Sequence, residues 1–544
     1  MRKFILSCFL SFLGLWFCPF ISFTQVIPPV STSTEPASDS LVNVEILQAR
    51  KLEFRKVNDT TQLQILAGNV KLKQSTSFFW CDSCVINNNT KTFEAWGHVR
   101  INDADTATIY ASHLRYLMDK KIAYLDGGVK LTDGKGELTT PDLEYDMTTD
   151  IGVYTHGGRV VNKKTVLTSQ EGHYYAGLRD VYFKKNVELK DPAYYIKTDS
   201  LLYNTQTQTT RFIAETFIKD SSGRTIETQE GYYNIATGKA EFGRRPIIRD
   251  GNTMITADNI IFDDSSHTSQ ARGNVIIKDS VQQTTIIAGE VFRDNKNDRM
   301  LATRKPLMII KQENDSIYVT ADTLFSARLS DLYGKKDSLV KDTVKGTKVV
   351  NINEKDSTNR YFEAYRHVRI FSDSMQAVSD SLFYSFKDSV FRLFQGPVIW
   401  SKESQITGDT IWVITKNKKA DKIKVFENSF MVNKIEPEVY NQIKSSRMDA
   451  YFKDGSIDSV RAAGFAECIY YIQDEDSAFT GINESKCDII DIYFAKEELR
   501  KVVFRSSVTG IIWPMNQKDP REMRLENFKW LESRRPKTKY ELFE

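Results

Sequence analysis

The sequence predicts an all-β protein, an elongated β-jellyroll or solenoid-like stack of short strands with a period of about thirty residues. The first observation is a recurring phrase, Gly-x-Val-x-apolar, as in Gly68-Asn69-Val70 and Gly273-Asn274-Val275. Its central apolar or proline anchors recur at intervals of 27 to 31 residues, at Val70, Val99, Val129, Val160, Val187, Phe217, Pro246, Val275 and Pro306. No helical stripe longer than about a dozen residues follows the N-terminal apolar run, so short strands are favoured.

The second half of the repeat reads apolar-x-small-Asp-x-apolar-x-aromatic, as in residues 196–203 and 255–262. Apolar residues alternate at period two on either side of the Asp, which is typical of half-buried strands. The phase slips at Asp199 and Asp258. An Asp side chain that binds its own backbone favours a corner or bulge at such a slip. Each repeat is therefore predicted to contain at least two strands and a corner.

The N-terminus carries the pattern of a secretory signal. Arg2 and Lys3 precede an uncharged, apolar run from Phe4 to Thr24. Small residues before Gln25 predict cleavage there, and hence export from the cytoplasm. The run is also long enough to span a bilayer, so an uncleaved inner-membrane anchor is the alternative.

Composition shifts divide the rest of the chain. We predict a linker over 25–43, β-jellyroll repeats over 44–329, a polar insertion loop over 330–360, further repeats over 361–435, a divergent β-rich region over 436–520 and a charged tail over 521–544. The insertion is rich in Lys, Asp and Ser, a composition that buries little apolar surface and favours a surface loop.

No motif of a nucleotide-binding, zinc-protease or serine-hydrolase site occurs in the chain, and the net charge of +3 implies no nucleic-acid partner. His98 and His367 occupy the same slot in two copies of His-Val-Arg-Ile, so repetition explains them better than chemistry. We predict no enzymatic activity and no cofactor. A glycosidase carboxylate pair among the abundant acids is the minor alternative.

Cys81 and Cys84 form a C-x-x-C pair, which elsewhere indicates a redox couple or half of a zinc site. They fall on the corner of the first repeat and no second pair has zinc spacing, so buried or disulfide-linked structural cysteines are favoured over a metal site. Cys468 and Cys487 could pair across adjacent layers.

The alternation of Gly-Asn-Val with Ile-x-Ala-Asp-x-Ile-x-Phe behind a signal peptide resembles the OstA-like, LptA-like family of lipopolysaccharide transport, and in particular its long Bacteroidetes-type members. The resemblance covers Val44 to about Leu329 and resumes from Tyr361 to about Ile435. It implies an open V-shaped jellyroll whose apolar interior shields lipid A acyl chains. It also implies a location in the periplasm in association with the outer membrane, and end strands that stack edge to edge with jellyrolls of inner- and outer-membrane partners.

Inward positions of the motif are the candidate lipid-lining residues: Ile109, Leu114, Tyr116, Ile196, Leu201, Tyr203, Ile255, Ile260 and Phe262. The simpler interpretation is that these side chains fill a closed core. The rival function is a structural or adhesive cell-surface β-solenoid that binds protein or glycan. An open apolar trough would favour lipid transport, and a filled interior would favour the rival.

Overall fold

The computed structural model describes residues 44–58, 61–103, 107–311, 315–333, 358–416, 419–453, 456–474, 478–495 and 498–543. The chain from Val44 onward forms one compact unit. The predicted signal peptide and linker lie outside the described residues. The domain bounds therefore stay predictions, although the strand pairing described below runs through the bounds at 435 and 436 without a break.

The described chain is almost entirely strand. The first ten strands are β1 Glu45–Gln48, β2 Lys51–Lys56, β3 Gln62–Gln74, β4 Ser77–Asn87, β5 Thr92–Asp103, β6 Ala107–Leu117, β7 Ile122–Thr132, β8 Glu137–Asp146, β9 Ile151–Tyr154 and β10 Gly158–Asn162. The next ten are β11 Thr165–Ser169, β12 Glu171–Tyr175, β13 Asp180–Lys190, β14 Tyr194–Asn204, β15 Thr209–Phe212, β16 Thr216–Asp220, β17 Thr225–Thr228, β18 Glu230–Asn234, β19 Lys239–Gly243 and β20 Ile247–Asp250.

The pattern continues to the C-terminus. The third group is β21 Thr253–Thr256, β22 Asn259–Asp263, β23 Thr268–Asp279, β24 Thr284–Asp294, β25 Arg299–Thr303, β26 Leu307–Lys311, β27 Ser316–Thr320, β28 Thr323–Arg328, β29 Arg360–Phe371 and β30 Gln376–Ser385. The last group is β31 Val390–Phe394, β32 Val398–Ser401, β33 Ser404–Thr407, β34 Thr410–Lys416, β35 Lys419–Glu436, β36 Val439–Lys453, β37 Ser456–Gln473, β38 Phe479–Ala495, β39 Glu498–Arg505 and β40 Thr509–Pro514. One short helix, α1 Leu329–Tyr333, and two 3₁₀ turns, Glu532–Arg534 and Lys539–Phe543, complete the described elements.

Every layer of the stack has two arms joined at a corner. In β3 the segment before Gly68 pairs with one half of β4, and the segment from Val70 pairs with the other half. We call the first segment and its neighbours arm A and the second arm B. All pairings are antiparallel, and in each arm a strand pairs with the layers before and after it. The fold class predicted from the repeat is confirmed.

The corner is a β-bulge made by two consecutive residues with left-handed backbone. Gly68 and Asn69 have φ of 80° and 50°, and Gly273 and Asn274 have φ of 73° and 45°. The same pair of positive angles precedes the anchor at 97–98, 127–128, 185–186, 244–245, 304–305, 366–367, 427–428 and 464–465. Two residues on this strand oppose one on its neighbour, so the register shifts at the corner. The bulge bends the strand and turns the inward side chains of both arms to the same interior.

The corner Asp has a different role from the predicted one. The phase slip lies where the sequence places it, but Asp258 does not use its carboxylate to bind its own backbone. Its side chain is half exposed and accepts hydrogen bonds from Asn274 Nδ2 at 2.8 Å and Arg245 at 3.0 Å. Asp82 is likewise bound by His98 Nδ1 at 2.7 Å. The left-handed pair makes the corner, and the Asp binds side chains that this pair presents.

Glycine is required at these corners for space as well as for φ. A Cβ on Gly273 would lie 2.3 Å from Asp258 Oδ2, and a Cβ on Gly97 would lie 2.3 Å from Asp82 Oδ2. Both distances are well inside van der Waals contact. The corner Asp and the Gly of the next phrase are therefore one packed unit, which explains why both halves of the repeat recur together.

The insertion begins and ends inside the packed stack. Asn359, which is 3% exposed, accepts a hydrogen bond from the Ser330 backbone N–H at 2.9 Å. Arg360 binds the Asp298 carboxylate at 2.8 Å. Most of the predicted loop, residues 334–357, lies outside the described residues.

The C-terminal tail runs back across the outer face of arm B, and we call residues 515–543 the strap. Buried Gln442 donates to the Met523 carbonyl at 2.9 Å and accepts from the Leu525 N–H at 2.8 Å. Buried Gln405 does the same with the backbone of Lys529 and Leu531, at 2.8 and 2.7 Å. Apolar strap side chains cover an outer cluster that includes Trp400, which is fully buried. The sequence prediction of a charged tail missed this packing.

The corner unit predicts a specific pattern of stability. Gly273→Ala should lower the free energy of unfolding by about 2–4 kcal/mol, because the left-handed backbone and the approach to Asp258 both penalise a Cβ. Gly134→Ala is the control, since Gly134 also has positive φ (82°) but a Cβ there meets nothing within 4 Å; it should cost only about 1–2 kcal/mol. Urea denaturation measures both. Adding Asp258→Ala to Gly273→Ala should recover part of the loss, and equal costs at the two glycines would contradict the packed unit.

Attachment of the strap depends on glutamines of arm B. Gln442→Leu should destabilise the protein by about 1–3 kcal/mol, because the N–H of Leu525 and the carbonyl of Met523 lose their partner. It should also make residues 515–543 the first site of limited proteolysis. Gln206→Leu, at an exposed turn, is the control. A tail that resists protease equally in both variants would show that apolar packing alone holds it.

Candidate functional site

The candidate site is the space between the two arms. All nine predicted lining residues point into it and are between 0 and 7% exposed. Ile109, Ile196 and Ile255 lie on arm B, and the other six lie on arm A. They belong to one hydrophobic cluster that extends from Leu66 to Ile492. The inward alternation is therefore as predicted, and these residues form a packed core; a lipid-lining role stays a prediction.

Aromatic side chains fill this interior in the early layers. Phe79 on arm B packs against Phe93 and Tyr116 on arm A, with ring centroids 5.3 and 4.9 Å apart. The two arm A rings are themselves 5.0 Å apart. Contacts of this kind are tight, so no open groove runs through these layers.

The interior changes character in the last layers. Several inward positions there carry small side chains, including Ala450, Ala462, Ala466 and Cys468, among larger ones such as Met448. A cavity of about 60 Å³ opens between the arms, lined by Met431, Asn433, Asn441, Ile443, Cys468, Tyr470, Ile490, Ile492, Phe494 and Val502. Because most of these groups are apolar, the C-terminal end of the interior has a cavity whose lining suits an apolar guest.

The side opposite the corner is closed by hydrogen bonds between the arm tips, and we call this line of contacts the seam. Gln74 at the tip of arm B donates to the Met118 carbonyl at the tip of arm A at 3.1 Å. The Tyr116 hydroxyl donates back to Gln74 Oε1 at 2.5 Å. Burial, and then the charge of Asp103, raises the pKa of Tyr116, so its hydroxyl stays a neutral donor.

The same rung recurs along the stack. Tyr145 donates to Asp103 Oδ2 at 3.3 Å, and Asn162 Nδ2 donates to the Tyr203 hydroxyl at 3.4 Å. The arm B member recurs at intervals of 29 or 30 residues, at Gln74, Asp103, Asp133, Asn162, Asp191, Asp220, Asp250 and Asp279. The polar tip position is therefore as periodic as the corner, and at Gln74, Asp103 and Asn162 it is hydrogen-bonded to a tyrosine of arm A.

The rung at Asp133 is looser than its neighbours. Burial alone would raise the pKa of Asp133, but hydrogen bonds from the N–H groups of Gly136 and Lys135 outweigh it and the net pKa is lowered. Across the seam, burial and then the Asp133 charge raise the pKa of Tyr174. A cavity of about 20 Å³ lies between the two tips here. A carboxylate held ionised beside a neutral phenol is a polar contact that can separate without a change of protonation.

The two outer faces differ in charge. Within the described strands from β3 to β26, the outward positions of arm B carry the acids Glu137, Glu188 and Glu227 against a larger set of cations. These cations are Lys71, Lys73, Arg100, Lys130, Arg159, Lys190, Lys197, Lys219, Arg249, Lys278 and Lys311. On arm A the outward acids Asp126, Glu144, Asp180, Glu241, Asp263 and Glu290 are interspersed with cations, including Lys184, Arg211, Lys239 and Arg272. Arm B therefore presents a basic outer face, and beyond Lys311 the strap covers it.

The four described cysteines are buried free thiols. Burial, with the charge of Cys487 second, raises the pKa of Cys468 to about 12. The hydrogen bond with Cys81, followed by burial, raises the pKa of Cys84. Thiols held protonated in this way are poor nucleophiles and poor metal ligands, in line with the structural interpretation.

Sequence reasoning found the inward positions but missed the seam. Its signal was present as a polar residue recurring every 29 or 30 residues at the end of an apolar strand. From the sequence alone, each of these residues would be predicted to form a turn. Only the pairing of the arms shows that such a residue faces a tyrosine about 42 residues further on, as Gln74 faces Tyr116.

The seam predicts a measurable contribution from its tyrosines. Tyr116→Phe should cost about 0.5–1.5 kcal/mol, because Gln74 loses a donor. Hydrogen exchange at the arm tips around 74 and 118 should accelerate at the same time. Tyr232→Phe is the control, since Tyr232 lies on the outer face and is 39% exposed. Equal, small effects of the two changes would mean that the seam is held by packing instead.

Within the described residues, no helix has the length and apolar character needed to cross a membrane. Residues 42–199 match the family described as OstA-like protein. No curated protein matches the chain. Among solved structures, the chain is similar to LptH of Pseudomonas aeruginosa, the LptA-homologous periplasmic component of a lipopolysaccharide transport device. That likeness has 11% identity, covers 26% of this chain and 82% of that chain, and has a TM-score of 0.19.

Proposed function

We propose that this chain, of which residues 42–199 match the OstA-like family, is a periplasmic lipopolysaccharide-binding and transport protein. In this proposal the jellyroll shields lipid A acyl chains between its arms and carries them toward the outer-membrane assembly machinery. The observation that supports it is the continuous apolar interior, bounded on one side by the corner and on the other by separable hydrogen bonds.

Binding of an acyl chain is favourable only where the free energy gained by burying it exceeds the packing energy that the protein loses. Each CH₂ transferred from water gains about 0.8 kcal/mol, so a chain of about a dozen carbons would gain on the order of 10 kcal/mol. In the early layers that gain must offset the displacement of packed aromatic rings such as Phe79 and Tyr116. In the last layers the cavity beside Phe494 and Val502 is already open. The C-terminal end is therefore the favoured place for an acyl chain.

Both ends of the stack offer edges for partner jellyrolls. Among the described residues, β1 and β2 pair only with β3, and β39 and β40 pair only with β38. Exposed apolar side chains lie on these edges, including Phe54 at 57% and Ile512 at 63% exposed. An edge of this kind favours pairing with another strand. We propose that transport proteins of the inner and outer membrane occupy the two edges.

The filled interior of the early layers favours a second candidate, the structural or adhesive β-solenoid at the cell surface. Such a protein needs a rigid stack and no guest, and the packing of Phe79, Phe93 and Tyr116 is sufficient for that role. The two candidates differ in one respect, which is whether an acyl chain ever contacts an inward side chain.

Photocrosslinking from neighbouring positions tests this difference. A photoreactive amino acid at Ile260, which points inward and is 2% exposed, should form adducts with lipopolysaccharide in cells. The same photoreactive amino acid at Phe494, beside the cavity, should give a higher yield of adducts, because less side-chain packing is lost there when an acyl chain binds. Ile261 is the matched control, since it follows Ile260 on the same strand but points outward.

Each outcome decides between the candidates. Adducts at Ile260 and Phe494 but not at Ile261 would support the transport proposal. Equal yields at Ile260 and Ile261 would indicate contact with the surface only. No adduct at either inward position, in a variant that folds and is present at normal levels, would leave the scaffold candidate in its place.

A further inference from the structure

A row of cations follows the tips of arm B through the middle of the stack. Lys190, Lys219, Arg249 and Lys278 are spaced at 29, 30 and 29 residues. Each is directly followed by the aspartate that ends its arm B segment at the seam. Each repeat adds two strands to arm B, so successive members of the row lie about 9.6 Å apart at a strand spacing of about 4.8 Å.

The row points away from the interior. Ile218 and Ile277 are buried inward residues, and Lys219 and Lys278 follow them on the outward side of the same strands. Lys190 and Arg249 make exposed ion pairs with Glu188 and Glu227, at 3.1 and 2.8 Å. Lys219 and Lys278 make no ion pair with any described residue. Exposed pairs are weak, so the whole row can exchange its partners for a stronger anion.

At Lys219 and Lys278 the neighbouring aspartate is directed into its own turn and forms no ion pair with the cation. Asp220 Oδ1 accepts from the backbone N–H groups of Ser222 and Arg224, both at 2.9 Å. Asp279 Oδ1 accepts from those of Val281 and Gln282, also at 2.9 Å. These carboxylates face the turn at the tip, whereas the cations face outward from the strand.

The periodicity of the row has no structural explanation in the described contacts. A stack needs the Asp of each pair for its turn and the apolar residue before the cation for its core. The outward residue between them has neither role, and the outer face of arm A mixes the two signs in the same layers, as in Asp180 with Lys184 and Glu241 with Lys239. A cation in four successive repeats therefore indicates a ligand that is itself anionic and extended along the stack.

We propose that this row binds the phosphate groups on the sugar headgroup of a glycolipid whose acyl chains lie between the arms. The inference rests on the proposed function. A phosphorylated headgroup is excluded from an apolar interior by its desolvation cost and must leave through the seam. The row lies one residue from the seam, on the outer side of the tips, where the headgroup emerges. Spacing of about 10 Å along the stack then gives the headgroup successive equivalent positions.

The test uses the full-length protein and two labelled probes, bisphosphorylated lipid A and the same lipid after removal of its phosphates. The row variant carries Lys190→Gln, Lys219→Gln, Arg249→Gln and Lys278→Gln. The control variant carries Lys184→Gln, Arg211→Gln, Lys239→Gln and Arg272→Gln, four cations on the outer face of arm A. Both variants change the net charge equally, so general electrostatic attraction affects them alike.

The wild-type protein and the control variant should bind the phosphorylated probe about tenfold more tightly than the dephosphorylated one. The row variant should lose that preference and keep wild-type affinity for the dephosphorylated probe. Inorganic phosphate at millimolar concentration should not abolish the preference, because the acyl chains hold the headgroup at the row.

Three results would overturn the inference. These are equal loss of preference in the row and control variants, no preference in the wild-type protein, and full competition by inorganic phosphate. In each of them, binding of the dephosphorylated probe would leave the proposed function standing. Failure of the wild-type protein to bind either probe would instead remove the proposed function itself, and the headgroup site with it.

Discussion

The rest of the stack depends on the pair of left-handed residues at each corner. Without it a strand of eleven residues would present alternate side chains to opposite faces of a flat sheet. On β3 the buried residues on the two sides of the corner, Leu66 and Val70, are four apart, whereas on the neighbouring β4 the matching pair, Cys81 and Cys84, is three apart. The extra residue of β3 thus lets the register continue around the bend, with both arms facing the interior. This local conformation recurs at most of the corners, although not before Val160 or Phe217, and it turns a single continuous sheet into two arms with a shared core.

The corner also explains which parts of the fold the sequence could predict. Left-handed backbone favours Gly and Asn, so the residue types of Gly68-Asn69 and Gly273-Asn274 are enough to predict corners there. Corners such as Arg244-Arg245 and Arg304-Lys305 use residues with no such preference, and only their spacing places them. The role of Asp258 was predicted wrongly because its partners, Asn274 and Arg245, lie on neighbouring strands. Local pattern gives the position of a bend but not the side chain that fills it.

The seam and the strap escaped prediction for a related reason. Gln74 and Gln442 are ordinary polar residues in a strand, and their burial depends on chain segments about 40 and 80 residues away. Contacts at such separation carry no local signature. The inward apolar positions were predictable because burial at period two depends only on the strand itself.

The corner and the seam lie on opposite sides of the same interior, and they resist separation of the two arms to different degrees. Separating the arms at the corner would break the backbone, whereas separating them at the seam breaks one or two side-chain hydrogen bonds per rung, each worth about 0.5–1.5 kcal/mol. The early layers add aromatic packing to that resistance, and the last layers replace it with small side chains and a cavity. Resistance to opening therefore falls toward the C-terminus on the inside. On the outside the strap binds arm B through Gln376, Gln405 and Gln442, and Gln442 lies on β36, one of the strands that line the cavity. The strap therefore adds contacts to the outer side of arm B where the interior is least filled.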